Sequence, residues 1–372
     1  MDNNFAISKH EKYFNRFLSG LPASAASEDS NKLSIIYFCL HGLQLLDKFQ
    51  FSESELKYHS DFIYNEFLIE NEDFIAFRAT NYFKSSGSFD LPNLSATLFA
   101  LYNLLILKSN YSKRLNQDKI MKFLKLCQVK TGDSKGGFVS TLARNEQGDY
   151  EQFGDSDVRT CYMALAIRRL VKYDEFEGRE HDIDTKAALE FILERCDSNG
   201  GFSSQVLDEP HLGYTFCAVA CLKLLDYPLE NLESTKNWLL QRQVDYPSEL
   251  YKDLDYEYYR PIDIGGFNGR ENKLSDTCYC WWCTGALYIM DKSNLNFINL
   301  NRAEEFLLHR VQNQLYGGFG KDIESTPDPF HSYLAISSLA LWNAKKFGLK
   351  EINPVLVITQ ESYNYFKSEI EY

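Results

Sequence analysis

The sequence predicts an all-α protein in which six helical hairpins close into an α/α barrel, a six-hairpin toroid. Three observations carry this prediction: a repeated Gly-Gly-Phe tripeptide, a long apolar run after each copy, and an amphipathic stretch before each copy. No other Gly-Gly pair occurs in the chain, so the four copies mark an internal repeat. The copies begin at Gly136, Gly200, Gly265 and Gly317.

Each repeat is predicted to contain an outer helix, a glycine loop and an inner helix. The runs after the glycines, such as 218–222 and 334–341, are apolar on all sides, as buried helices are. The stretches before them, such as 187–195 and 302–311, have apolar residues at helical spacing and one polar side. An open helical solenoid is the alternative to a closed barrel.

The N-terminal part of the chain contains weaker copies of the same unit. Helical pairs are expected at 32–49 and 91–108, and Gly87-Ser88-Phe89 is interpreted as a degenerate fifth loop. The segment 245–264 is rich in Asp and Tyr and is interpreted as an insertion before the third copy. We therefore expect one barrel domain over residues 1–372.

Composition limits the classes of function. The formal net charge of −13 argues against nucleic acid as the main partner, and the 15% aromatic content argues against disorder. The longest uncharged run, 91–107, carries a proline and several polar residues, so we expect a buried helix and no membrane span. The nine cysteines lie mostly in apolar runs, which is typical of free thiols in a reducing cytoplasm.

One group of residues at the starts of the inner helices indicates a metal site. Alignment of the repeats places Arg159, Tyr214, Asp276 and His331 in one column. Asp276 and His331 belong to consecutive copies and should be neighbours, and Cys278 follows two residues after Asp276. Three protein ligands with an open fourth position describe a catalytic zinc site.

Simpler interpretations of these residues remain open. A lone Asp at a helix start is usually an N-cap, and a lone Cys or His in an apolar helix is usually part of the core. The pair Cys280 and Cys283 forms a C-x-x-C, but its position inside an apolar helix argues against a redox motif.

A second group of residues indicates an anion site near the first. Arg270 and Lys273 precede the helix that contains Asp276, His211 opens the preceding inner helix, and Tyr279 follows Cys278. These side chains supply several charge-assisted donors, which a diphosphate needs. Ordinary surface charge is the alternative.

The sequence resembles the β subunits of protein prenyltransferases, most closely those of type I protein geranylgeranyltransferases. The resemblance covers nearly the whole chain and is most specific in the segments 209–217, 265–282 and 317–333. It implies zinc ligands at Asp276, Cys278 and His331. It also implies substrate contacts, with diphosphate at His211, Arg270, Lys273 and Tyr279, and with the isoprenoid at Arg159, Tyr162 and Trp282.

Two further positions bear on the subtype. Ser34 stands where farnesyltransferases have a Trp that shortens the isoprenoid tunnel, which implies room for a longer chain. Lys321 stands where farnesyltransferases have a magnesium-binding Asp, which implies that its ammonium replaces Mg²⁺ beside the diphosphate.

The resemblance implies a zinc-dependent geranylgeranyl transfer from geranylgeranyl diphosphate to the Cys of a C-terminal Cys-aliphatic-aliphatic-X (CaaX) sequence on Rho-type small GTPases. It also implies a helical α subunit as partner. A farnesyltransferase or Rab geranylgeranyltransferase β subunit is the alternative within the family. From other classes, a glycosidase using Asp155 and Glu209 and a non-catalytic binding barrel remain open. The chain lacks the Asp-rich motifs of a terpene cyclase.

Overall fold

Six buried helices form a closed ring in the computed structural model, which describes residues 4–21, 23–175, 178–245 and 260–372. In chain order the helices are α1 (Ile7–Ser19), α2 (Lys32–Leu45), α3 (Glu53–Phe67), α4 (Leu94–Ile106), α5 (Gln117–Cys127), α6 (Val158–Leu170), α7 (Thr185–Leu193), α8 (Leu212–Leu224), α9 (Glu233–Leu240), α10 (Thr277–Met290), α11 (Leu300–Glu305), α12 (Pro329–Phe347) and α13 (Gln360–Glu369). The even-numbered helices are the six buried ones. Each packs against the next even-numbered helix, and α12 packs against α2. This closure confirms the predicted α/α barrel and excludes the open solenoid.

The inner and outer helices differ in burial, as their sequences predict. Every residue of α8 from 215 to 222 is buried, because this helix contacts neighbours on all sides. Outer helices such as α5 bury one face and expose the other. The outer helix of the last hairpin continues beyond α11 as a π-helical turn over Phe306–Val311.

The first glycine of each Gly-Gly-Phe loop joins one hairpin to the next. At Gly317, φ is +79°, and a Cβ there would lie 2.3 Å from the carbonyl oxygen of Lys9 in α1. Only glycine fits this combination of backbone angle and close approach. The contact links the last hairpin to the first, and equivalent contacts join Gly136 to Ala187 in α7, Gly200 to Ser234 in α9 and Gly265 to Arg302 in α11.

The phenylalanine of each loop is fully buried, and its backbone is tied to the following inner helix. The N–H of Phe202 donates to Thr215 Oγ1 at 2.9 Å, and the N–H of Phe319 donates to Ser332 Oγ at 2.8 Å. In the second hairpin the same bond is made by the N–H of Phe77 to Thr97 Oγ1, at 2.9 Å. The interpretation of Gly87-Ser88-Phe89 as the fifth loop is therefore wrong, because Phe89 is 67% exposed and Phe77 takes its place.

Short strands accompany the helices, although the sequence predicts none. They are β1 (Leu68–Glu70), β2 (Ile75–Arg78), β3 (Pro92–Asn93), β4 (Val139–Arg144), β5 (Tyr150–Ser156), β6 (Ile352–Asn353) and β7 (Ile358–Thr359). The first five form one antiparallel sheet in chain order, which packs against α4 and α5. β5 is exposed along most of its length, so no alternation of apolar and polar residues marks it in the sequence.

The β6–β7 hairpin enters the barrel from the end at which the inner helices terminate. Before it, the N–H of Lys350 donates to the carbonyl oxygen of Leu45, the last residue of α2, at 2.8 Å. Within it, the N–H of Thr359 reaches His41 Nδ1 at 3.5 Å, one turn further into the barrel. The turn of this hairpin therefore lies inside the ring.

Two expectations concern particular segments of the chain. Within the described residues no helix is both long and apolar enough to cross a lipid bilayer, and this includes α4, which contains most of the 91–107 run. The segment 245–264, which is interpreted as an insertion, lies mostly outside the described residues.

Candidate active site

The inner helices begin at one mouth of the barrel, and polar side chains cap the N-terminal ends of five of them, α2 being the exception. A capping side chain accepts a backbone N–H of the first turn, which satisfies a donor that has no partner within the helix. The capping residues are Asn93 of α4, Asp157 of α6, His211 of α8, Asp276 of α10 and Asp328 of α12. These residues are the structurally equivalent positions of the repeat.

The predicted column of Arg159, Tyr214, Asp276 and His331 is therefore wrong. Asp276 is itself the cap of α10, whereas His331 follows the cap of α12 by three residues. The two side chains are nevertheless neighbours, as predicted, because α10 and α12 pack against each other and begin at the same end of the barrel.

Asp276, Cys278 and His331 form a compact trio of potential metal ligands. One carboxylate oxygen, the thiol sulfur and one imidazole nitrogen all lie within 4.8 Å of one another. His331 Nε2 is 3.3 Å from Asp276 Oδ1, and the same oxygen accepts the N–H of Cys278 at 2.9 Å. Asp276 and Cys278 are each 6% exposed, so the trio is shielded from bulk solvent.

Asp328 orients the histidine of this trio. Its Oδ1 accepts the N–H of His331 at 2.9 Å, and its Oδ2 lies 2.5 Å from Nδ1 of the same imidazole. The carboxylate therefore holds a proton on Nδ1 and directs Nε2 towards Asp276. A carboxylate behind a histidine is the usual arrangement at metal-binding imidazoles, because it fixes both the tautomer and the ring orientation.

The protonation of the trio fits a soft cation. Burial and the carboxylate of Asp276 raise the pKa of the Cys278 thiol well above its usual range. Burial alone would lower the pKa of His331, but hydrogen bonds to Asp276 and Asp328 outweigh burial and raise it to about 9. A divalent cation that displaces these two protons would leave the net charge of the group unchanged. The donor set suits zinc, because it consists of three protein ligands: one sulfur, one imidazole nitrogen and one carboxylate oxygen.

His211 and Tyr279 form a hydrogen-bonded pair beside the trio. His211 Nδ1 accepts the N–H of Gly213 at 3.1 Å, so the ring proton is on Nε2, which donates to the hydroxyl oxygen of Tyr279 at 3.0 Å. Burial, together with the neighbouring Arg270, lowers the pKa of His211, which favours the neutral imidazole. The hydroxyl proton of Tyr279 is not used in this bond.

Three cationic residues lie at the same mouth, in the loops beside the start of α10. Arg270 lines the cavity described below, and its Nη1 is 2.5 Å from Glu209 Oε2. Lys273 is exposed in the loop between Arg270 and Asp276. Lys321 is also exposed, and its carbonyl oxygen accepts the N–H of Thr277, the first residue of α10, at 2.8 Å.

A cavity of about 800 Å³ extends from this mouth into the barrel. Each inner helix contributes to its wall, and the wall is predominantly apolar and aromatic. Representative lining residues are Phe38 of α2, Phe99 of α4, Tyr162 of α6, Cys217 of α8, Trp282 of α10 and Leu334 of α12. The volume lies within the range of cavities that enclose whole small ligands, and the lining suits a long hydrocarbon.

The three residues predicted to contact an isoprenoid lie at this cavity, whereas Ser34, predicted to leave room for a longer chain, does not. Arg159, Tyr162 and Trp282 line it. The guanidinium of Arg159 is paired with Asp157, with Nη2 at 2.6 Å from Oδ2. Ser34 does not line the cavity, because it lies in the first turn of α2, one turn before Phe38, and its Oγ donates to the carbonyl oxygen of Asn31 at 2.8 Å.

Two residues of this site have roles that the sequence interpretation does not assign to them. Asp328 is one, although its place before Pro329 at a helix start is a recognisable capping signal. The other is Glu209, which the sequence suggests only as a possible glycosidase carboxylate with Asp155. The structure pairs Glu209 with Arg270 and places Asp155 on an exposed strand outside the cavity lining.

Comparison with known proteins places this geometry in a family. Residues 5–358 match the prenyltransferase alpha-alpha toroid domain. The chain is 63% identical to a chain in the solved structure of Candida albicans protein geranylgeranyltransferase-I complexed with GGPP, with a TM-score of 0.95 and coverage of 98% of this chain and 99% of that one.

Two curated proteins extend the comparison. The geranylgeranyl transferase type-1 subunit beta of Dictyostelium discoideum is 27% identical, with 95% of each chain covered. The protein of the same name from Arabidopsis thaliana is 28% identical, with 95% of this chain and 88% of that protein covered.

Proposed function

The chain belongs to the prenyltransferase alpha-alpha toroid family as a β subunit of the type I geranylgeranyl enzymes, and we propose that it transfers a geranylgeranyl group to the cysteine of a C-terminal CaaX sequence. The observation that carries the proposal is the position of the sulfur, nitrogen and oxygen trio at the mouth of an apolar cavity, beside a group of cationic and neutral donors. One reacting partner of this transfer is a thiol, and the other is a long hydrocarbon that ends in a diphosphate.

Asp276, Cys278 and His331 would hold one zinc ion in this enzyme. When bound, zinc lowers the pKa of a substrate thiol and keeps it as the nucleophilic thiolate near neutral pH. Asp328 holds the proton on Nδ1 of His331, so that Nε2, which faces Asp276, is the nitrogen that would give up its proton when the metal binds. A substrate thiol held by zinc would already have lost its proton, so no side-chain general base of this chain would be needed.

His211, Arg270, Lys273, Tyr279 and Lys321 bind and stabilise the diphosphate in this proposal. Negative charge develops on the diphosphate as the bond to C1 of the isoprenoid breaks, and donors already in place stabilise that charge. Tyr279 accepts a hydrogen bond from His211, so its own hydroxyl proton is available to a diphosphate oxygen. Lys321 supplies positive charge where a magnesium ion would otherwise be needed.

Arg159, Tyr162 and Trp282 contact the isoprenoid, and the other aromatic side chains of the cavity enclose it. Burial of a hydrocarbon contributes about 0.8 kcal/mol per CH₂ group, so a closed apolar cavity binds a C20 chain strongly. The exposed guanidinium of Arg159 also reaches the mouth, where it would hold the peptide's C-terminal end through water. Ser34 lies in the first turn of α2, before the residues of this helix that line the cavity, and we propose that it contributes only space at the rim.

The proposed partners are a helical prenyltransferase α subunit and Rho-type small GTPases, and the proposed compartment is the cytoplasm. The nine cysteines are all free, and most are buried, in agreement with a reducing environment. We propose that residues 1–372 act as one barrel domain within this heterodimer.

Competition between substrates tests the proposal. The chain is co-expressed with a candidate α subunit, and the purified heterodimer receives equal concentrations of geranylgeranyl and farnesyl diphosphate with a CaaX peptide. We expect geranylgeranyl transfer to a Leu-ending peptide to dominate. Preferential farnesyl transfer to a Met-ending peptide would assign the chain to the farnesyl enzymes, and transfer only to intact Rab proteins would assign it to the Rab type.

We predict that Asp328→Asn weakens zinc binding roughly 10- to 100-fold, the usual effect of removing a carboxylate behind a metal-binding histidine. The asparagine can still cap α12 through its oxygen, but its NH₂ then faces Nδ1 and favours the tautomer with the proton on Nε2. Chelator competition measures the affinity. Asp184→Asn, at the cap of outer helix α7, is the matched control. Equal affinities in the two variants would show that Asp328 does not position His331.

We predict that Glu209→Gln tightens the binding of geranylgeranyl diphosphate. Glu209 occupies Arg270 in the free protein, so its charge competes with the diphosphate. Exposed ion pairs contribute about 0.2–1 kcal/mol, which corresponds to a decrease in Kd of up to about five-fold. Fluorescence titration of the heterodimer gives the Kd. Glu233→Gln, which breaks the surface pair with Lys236, is the control. Weaker binding in Glu209→Gln would mean that Glu209 positions Arg270 for the ligand.

A further inference from the structure

Val357, in the turn of the β6–β7 hairpin, has an unusual backbone conformation. Its φ is +55°, in the left-handed region, and it is the one β-branched residue with positive φ in the described part of the chain. Crowding at Cβ makes this conformation unfavourable for valine. Such a residue persists only where its surroundings hold it, and it is often found at a functional position.

Tyrosines from three inner helices hold this turn in place. Tyr37 of α2 and Tyr333 of α12 both donate to the carbonyl oxygen of Val357, the latter at 2.6 Å. Tyr162 of α6 donates to the carbonyl oxygen of Val355 at 2.9 Å. The three tyrosines are at most 9% exposed. The turn is therefore fixed to the barrel wall from three directions.

The side chains of this turn close the inner end of the cavity. Leu356 and Val357 line it together with Tyr37 and Tyr162. The hairpin enters from the end at which α2 terminates, where Lys350 bonds Leu45, whereas the capping residues of the mouth lie at the opposite end. Val357 therefore lies at the far end of the cavity from the mouth, where it is 6% exposed and is among the residues that line the space a ligand would occupy.

We propose that Val357 determines how long a prenyl chain this enzyme accepts, an inference that rests on the proposed prenyl transfer. A hydrocarbon that enters from the mouth with its diphosphate at the rim extends towards the turn. Since the turn is anchored by three hydrogen bonds, its side chains form a rigid floor. A chain longer by one isoprene unit needs five more carbons of space, which the isopropyl group of Val357 occupies.

The conformation of Val357 allows a substitution that deepens the cavity without threatening the fold. Glycine adopts φ of +55° without strain and removes the whole side chain, so Val357→Gly lowers the floor while the carbonyl oxygen stays available to Tyr37 and Tyr333. Val357→Ala removes less volume and keeps the left-handed strain. Val355→Ala alters the same turn at a side chain that does not line the cavity.

The test compares C15, C20 and C25 prenyl diphosphates as donors to one Leu-ending CaaX peptide, with the heterodimer of each variant. We expect the ratio of kcat/KM for C25 over C20 to rise about ten-fold or more in Val357→Gly, the discrimination typical of a few carbons in an apolar pocket. The same ratio for Val357→Ala should lie between those of Val357→Gly and the wild type. For Val355→Ala it should equal that of the wild type.

Two outcomes would overturn the inference, and they are distinguishable. Normal C20 transfer with an unchanged C25 to C20 ratio in both Val357 variants would show that the floor does not limit chain length, and it would leave the proposed function intact. Absence of any prenyl transfer by the wild-type heterodimer would overturn the proposed function and this inference together.

Discussion

Cys278→Ala should lower the rate of geranylgeranyl transfer by roughly 10³-fold or more, since the loss of one metal ligand removes several kcal/mol of stabilisation from the reacting thiolate. The trio contains one sulfur, and alanine at that position leaves only Asp276 and His331 as ligands. His331 is also hydrogen-bonded to Asp276 and Asp328, so it must lose a proton before it can bind a metal. We expect the zinc content of the purified heterodimer to fall in parallel, as measured by elemental analysis. Binding of geranylgeranyl diphosphate should remain close to that of the wild type, because its cationic contacts are unchanged.

Cys280→Ala is the matched control for this prediction. Cys280 is a fully buried thiol two residues further along α10, and it belongs neither to the trio nor to the cavity lining. It should therefore keep zinc and activity. Full turnover and full zinc content in Cys278→Ala would contradict the assignment of the metal site.

Lys321→Asp should make transfer depend on magnesium, with a loss of roughly 10²-fold in a magnesium-free buffer, comparable to the loss of one charge-stabilising donor. The backbone at Lys321 is fixed beside the start of α10 by the bond from Thr277. A carboxylate there repels the diphosphate unless a divalent cation lies between them. Millimolar Mg²⁺ should restore much of the rate, as measured by initial velocities across a magnesium titration.

The control for Lys321→Asp is Lys367→Asp, which makes the same change of charge in the last turn of α13. We expect its rate to be insensitive to magnesium. If Lys321→Asp showed an unchanged rate in chelator, Lys321 would have no role at the diphosphate.

The barrel and the metal trio could be predicted from the sequence because both depend on the repeat. Each of the four Gly-Gly-Phe loops marks a place where one hairpin contacts the next. The same contact is repeated from hairpin to hairpin, and the hairpins close into a ring. Asp276 and His331 could be predicted as neighbours because they begin consecutive inner helices. The predicted column is misaligned, because Asp276 is the N-cap of its helix whereas His331 lies three residues after the N-cap of its own. The apolar runs of the inner helices are clear in the sequence, but the capping residues at which the helices begin are not.

Other features depend on contacts that no sequence pattern marks. The second hairpin has no glycine pair, so only the bond from Phe77 to Thr97 identifies its loop. β5 is largely exposed and carries no strand periodicity. Val357 is an ordinary valine in the sequence, and its role at the cavity floor arises from tyrosines that are 24 and 320 positions away in the chain.

Removal and return of zinc tests the central claim most directly. The heterodimer is purified with its native metal, its zinc content is measured, and geranylgeranyl transfer to a Leu-ending CaaX peptide is followed before chelation, after chelation and after addition of zinc. We predict one zinc per β subunit, loss of transfer with loss of zinc, and recovery of both together. Undiminished transfer by protein free of metal would contradict the account.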